Sequence, residues 1–150
     1  AEAARGDLRD TPVTLTALAP TFLDLAGAAI PEGMDSRSLR PLLGEVPPED
    51  FGRSYVHGEH APAMHFVTDG REKLIWNSAD GGVQFFDLVA DPEETRDRGA
   101  DPDYAERVEG WKRRLAETLA APHRRSDGLS DGERLIAGTR LPLVRETEDA

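Results

Sequence analysis

Residues 54–57, 65–68, 73–77 and 83–88 are four short runs rich in β-branched and aromatic side chains, and glycine turns punctuate the last three. Asp69-Gly70 and Asp80-Gly81-Gly82 supply the positive φ angles that tight hairpins require. The spacing predicts a four-stranded antiparallel meander. Such a sheet needs a cover, and the sequence offers one. Asp101-Pro102 combines an N-cap with a proline at the first helical position. It opens a helix over about 102–121 in which Tyr104, Val108, Trp111, Leu115 and Leu119 share one face. Burying that stripe on the sheet is worth roughly 1.5–3 kcal/mol for each large side chain, more than local propensity supplies. The helix therefore packs on the sheet, Trp76 and Trp111 belong to the core, and Pro122 ends the helix. Asp91-Pro92 has the same form and is read as another helix start. The resulting class is α+β.

The preceding residues read differently. Residues 1–10 are polar, and Pro12 introduces a β-branched stretch at 13–15 that is expected to add one strand to a sheet, although no partner lies nearby in sequence. From Leu18 a helical face runs through Phe22, Leu25 and Ala26. Thr16 is the expected N-cap, Pro20 sits in the first turn where its missing N–H removes no bond, and Gly27 is the stop. Two prolines and two glycines make 30–44 irregular, with one short helical turn, and 46–50 (VPPED) a linker. Beyond Pro122 a loop-rich tail carries isolated apolar positions at Leu129, Leu135, Ile136, Leu141, Leu143 and Val144, spaced to staple it across a larger surface.

Composition narrows the function. The chain's 150 residues suit one domain, able to bury roughly 70% of its unfolded surface. A formal charge of -11 repels nucleic-acid phosphate and anionic lipid, so neither is an expected partner. No apolar run approaches the roughly 20 residues of a bilayer span. The opening AEAARGDLRD carries no readable secretory signal, which leaves the compartment open and favours the cytoplasm. Without cysteine there is no disulfide, thiolate metal site or cysteine-derived nucleophile.

Three of the four histidines, His57, His60 and His65, fall within YVHGEHAPAMHF at 55–66. Gly58 and Pro62 argue against a helix, and in a strand His57 and His60 point to opposite sides. His60 and His65 are spaced to meet across a hairpin, with Glu59 orienting one ring. A metal reading lacks a third ligand at a recognised spacing; the plainer reading is polar groups at a strand end. No G-x-S-x-G elbow, Walker loop or G-x-G-x-x-G loop occurs. Nine carboxylates between Asp87 and Glu109 lack the D-x-D-x-D-G calcium pattern and read mainly as caps and solvated surface.

Four phrases in order resemble one family: PVTLTALAPTFLDLAGAAIPEGMDSRSLRPLLGE, YVHGEH with FVTDGREKLIW, VQFFDLVADPEETRD, and a helix with a WKRRLAE core. Together they are similar to the end of the type I sulfatases of the alkaline phosphatase superfamily, over about residues 10–121. Ala17 and Ser36 depart from the family's usual Asp and Gly, at about 1 kcal/mol of local stability each.

The resemblance implies that 1–50 close a large α/β catalytic domain with a strand, helix and loop. On the same reading 51–122 form the four-stranded C-terminal subdomain with its packed helix, and 123–150 a tail. It implies sulfuric ester hydrolysis in a longer protein, or phosphonate or phosphate monoester hydrolysis in a relative; a free-standing, non-catalytic binding module is the remaining alternative. A formylglycine made from a C/S-x-P-S-R motif, and a calcium ion, are implied for a preceding catalytic portion, the expected partner of this chain. Neither is expected on these residues, and no catalytic residue transfers. His57, His60 and His65 are the substrate-pocket candidates, either supporting the site or facing substrate. Val13, Leu15, Leu18 and Phe22 are expected to lie exposed without that portion.

Overall fold

Where a carboxylate sits before a proline, its side chain can satisfy the first free N–H groups of a helix. Asp101 does this: its Oδ1 accepts from Asp103 N at 3.1 Å. In the computed structural model, which describes residues 6, 8–34, 36–44, 54–60, 63–121 and 128–138, a 3-10 turn at Pro102–Tyr104 leads from there into helix α2, Ala105–Leu119. The chain divides into two compact units, Ala1–Val56 and His57–Ala150.

The second unit holds a sheet of strands β1 (Val56–His60, its first residue at the boundary), β2 (Met64–Thr68), β3 (Glu72–Asn77) and β4 (Val83–Asp87) in the order β1-β2-β3-β4. β2 pairs antiparallel with β3, and β3 with β4. The register places His65 opposite Trp76, Val67 opposite Leu74, and Leu74 opposite Phe85. Those side chains are all buried, as are Val108, Trp111, Leu115 and Leu119 of α2. The helix stripe and one face of the sheet thus form the core that their periodicities required. Both tryptophans are in it.

The hairpins follow their turn chemistry. Gly70 has φ 85°, and Asp69 Oδ1 accepts from Arg71 N and Glu72 N, each at 2.8 Å. Sequence reading placed the first strand at 54–57, but it runs Val56–His60. Gly58 lies inside the strand, where only a glycine fits: a Cβ there would collide with the Phe66 ring of β2. Asp91-Pro92 opens a turn and not a helix. The Asp91 carboxylate accepts from Thr95 Oγ1 at 2.9 Å and Arg96 N at 2.8 Å, closing a loop with no apolar stripe to hold a helix. Further along, Leu129 is buried, and Ser130 bridges Leu135 while donating through Oγ to Ala116 O at 2.8 Å. The tail positions Leu141, Leu143 and Val144 fall outside the described residues, as does the 46–50 linker.

The first unit contains helix α1, Leu18–Leu25, and a 3-10 turn at Arg40–Leu43. The strand expected at 13–15 does not form. Among the described residues of this unit there is no strand to pair with it, and the backbone turns at once, Ala17 N donating to Thr14 O at 3.1 Å. Nor does Thr16 cap α1: it lies within the 3-10 turn Leu15–Ala17, its Oγ1 2.6 Å from that of Thr14. The stop is as expected. With Gly27 at φ 70°, Gly27 N reaches Asp24 O (3.1 Å) and Ala28 N reaches Leu23 O (2.9 Å), the paired bonds of a Schellman cap. Thr21 Oγ1 ties the loop down by accepting from Leu39 N at 2.8 Å. Val13, Leu15, Leu18 and Phe22 stand exposed, Leu15 at 84% and Phe22 at 64%. Among the described residues no helix is long and apolar enough to cross a membrane.

Candidate functional site

Strand periodicity puts His57 and Glu59 on one face of β1, with Gly58 turned the other way towards Phe66. His65 reaches the same face from β2. The His57 and His65 rings stack with centroids 5.8 Å apart and an interplanar angle of 11°. His65 in turn lies 5.5 Å from the Trp76 ring. Glu59 Oε1 stands 3.9 Å from His57 Nε2. One ligand atom from each of His57, Glu59 and His65 falls within 4.8 Å of the others.

The pairing differs from the one expected. His57, not His60, joins His65, because the strand continues through Gly58 and its two-residue period carries His60 to the opposite side. The signal was present as alternation through residues 56–60, hidden by the glycine. Burial divides the group: the His57 side chain is 2% exposed and His65 3%, whereas Glu59 is 56% exposed. His60 is exposed and outside the cluster.

A second polar assembly escaped sequence reading. Glu72 at the start of β3 accepts from Arg107 and from Trp111 Nε1, both on α2. Arg107 also donates to Asp87 Oδ2 at 3.0 Å and lies over the Tyr104 ring, 4.7 Å from its centroid. The Ala90 N–H and then the Arg107 guanidinium hold the Asp87 carboxyl below the usual carboxylate range. This group clamps helix to sheet. Its carboxylates face the Arg107 guanidinium. Of the other acids of 87–109, Asp91, Asp97 and Asp101 bond backbone N–H groups, Asp97 Oδ1 accepting from Phe85 N at 3.0 Å and Gly99 N at 2.8 Å, while Glu94 and Glu109 pair with Lys73 and Lys112.

The family's description N-sulphoglucosamine sulphohydrolase, C-terminal, matches residues 2–121. The chain belongs to this sulfatase family. It corresponds to the C-terminal portion. An arylsulfatase of Clostridium perfringens is 31% identical over 144 residues, 94% of this chain and 29% of that protein. Among solved structures, a protein in complex with its substrate D-glucosamine-2-N,6-O-disulfate matches with a TM-score of 0.58 at 26% identity, over 73% of this chain and 25% of that one. The phosphonate monoester hydrolase of Silicibacter pomeroyi matches with a TM-score of 0.60 at 26% identity, over 75% of this chain and 26% of its own. This sulfatase-family chain thus spans under a third of the length of the relatives it matches.

The two groups that sulfatases imply do not fit the residues here. Formylglycine needs a cysteine or serine in C/S-x-P-S-R, and neither a cysteine nor that motif is present. Calcium takes six to eight oxygen ligands, whereas the clustered donors among the described residues are two imidazole nitrogens and one carboxylate.

Proposed function

We propose that the longer protein carrying this chain hydrolyses sulfuric esters and that these residues are its non-reacting C-terminal portion. The observation that carries this reading is the family match across residues 2–121. On this reading the formylglycine nucleophile and the calcium ion belong to the catalytic portion, and this chain alone turns over nothing. Its exposed apolar face, Val13, Leu15, Leu18 and Phe22, supports the same view: these side chains gain about 1.5–3 kcal/mol each when fully buried, and a catalytic domain supplies the surface. The chain then completes the fold and shapes substrate entry. Of the three histidine candidates, exposed His60 takes the substrate-facing role, and buried His57 and His65 support the strand behind it.

The test is sulfate release from an aryl sulfate. The longer protein is expected to turn over and the purified 150-residue chain is not; release by the chain alone overturns the proposal. Likeness to a phosphonate monoester hydrolase favours a second reading, ester cleavage at phosphorus. Comparing kcat/KM of the longer protein on matched aryl sulfate and aryl phosphonate decides between them.

A further inference from the structure

We propose that His57, Glu59 and His65 form a binding site for a divalent transition-metal ion of the zinc type, with its open coordination position on the Glu59 side. The inference concerns these three side chains alone and stands whichever ester the longer protein cleaves.

Donor chemistry selects the ion. Two imidazoles and one carboxylate suit zinc and its neighbours, whereas calcium and magnesium prefer all-oxygen shells. Two neutral imidazoles and one carboxylate carry a single negative charge towards a dication. Three protein ligands with a fourth position left to water is the pattern of open zinc sites.

Geometry permits it. Metal–ligand bonds of about 2.0–2.2 Å in a tetrahedron set donors roughly 3.3–3.5 Å apart. The three donor atoms already lie within 4.8 Å of one another, and His57 Nε2 is 3.9 Å from Glu59 Oε1. Closure asks for up to about 1.5 Å of movement. Because His57 and Glu59 already stand 3.9 Å apart, the wider gap is to His65, so the two stacked rings turn towards the ion as Glu59 swings in. The donors stand on two neighbouring strands, and packing holds both rings, His65 against Trp76 and His57 against His65. Ligands on packed strands are positioned more precisely than ligands on loops. Burial of the two imidazoles, with Glu59 at the rim, gives the ion a dry floor and one wet side.

The test is equilibrium dialysis of the longer protein against zinc at constant, saturating calcium, with metal content read by mass spectrometry. One zinc equivalent is expected in the wild type. It is lost in His57→Gln and His65→Gln, and binding weakens at least about tenfold in Glu59→Gln, since removing a ligand costs no less than removing one of its supporting hydrogen bonds. His60→Gln keeps the full equivalent. Substituted cobalt should give the visible d–d absorption of a four-coordinate site in the wild type and lose it in His65→Gln. Should a histidine variant fail to fold, Glu59→Gln at the exposed rim decides alone. Unchanged zinc stoichiometry and affinity in Glu59→Gln, or equal loss in His60→Gln, overturns the proposal.

Discussion

Replacing Phe22 by alanine separates a chain that is whole in itself from one made to meet a larger body. Phe22 lies on α1 with 64% of its surface exposed. A phenylalanine side chain buries about 150–250 Å² when fully enclosed, so roughly 100–160 Å² remains to be covered. At about 25 cal/mol per Å² that area is worth about 2.5–4 kcal/mol once a partner surface closes over it. In the 150-residue chain only the roughly 55–90 Å² already covered is lost, about 1.5–2 kcal/mol. In the longer protein the loss should rise to about 3–5 kcal/mol, the usual cost of truncating an enclosed phenylalanine. Urea unfolding of the longer protein, with and without Phe22→Ala, gives the second figure. Amide exchange of the α1 backbone in the 150-residue chain gives the first, because both tryptophans report only on the other unit. Equal losses in the two settings, or no loss in the longer protein, would refute the claim that this face is an internal docking surface.

Leu115, fully buried at the middle of α2, should cost about 2–5 kcal/mol when replaced by alanine, read as a lower urea midpoint in tryptophan fluorescence. Acid should destabilise the sheet unit through Asp87. The Ala90 N–H and Arg107 hold its folded pKa below the unfolded value of about 3.9. The stabilisation is therefore present above that value and is lost as pH falls through the folded pKa. The urea midpoint should fall below about pH 4, and Asp87→Asn should flatten that fall while lowering stability at neutral pH; an unchanged acid limb in Asp87→Asn would contradict the assignment. Gly27→Ala, which places a side chain at φ 70°, should cost about 1–2 kcal/mol and shorten the exchange protection of the last turn of α1.

What could be read from the sequence was what is decided locally. The sheet–helix unit was legible because each boundary carries its own chemistry: Asp69-Gly70, Asp80-Gly81-Gly82 and Asp101-Pro102 set the turns and the helix start. The stripe Val108, Trp111, Leu115, Leu119 then has one sheet face to cover. Gly27 was legible for the same reason, since a left-handed residue after an apolar helix has few other uses. Residues 13–15 were not. Whether Val-Thr-Leu becomes a strand depends on a partner backbone, and β-propensity measures fit to a neighbouring strand more than an intrinsic preference.

The histidine site shows the same division at finer grain. His65 and Val67 share the buried face of β2, which the sequence did not announce, since the more apolar alternate pair, Met64 and Phe66, takes the half-buried face. The partner of His65 across the sheet turned on Gly58, which by itself signals either a turn or a close approach of another side chain. Only the position of Phe66, on the neighbouring strand, settles it as close approach. Once β1 is continuous, period two forces His57 and Glu59 together and sends His60 away, so one cross-strand packing contact selects which imidazole faces His65. Widening that gap should therefore reassign the site without touching a ligand. Phe66→Ala removes the ring that Gly58 accommodates, loosening the β1–β2 pairing. Zinc affinity should fall in this variant while His57, Glu59 and His65 are all intact, and wild-type affinity in Phe66→Ala would show that the donors are held by something other than strand pairing.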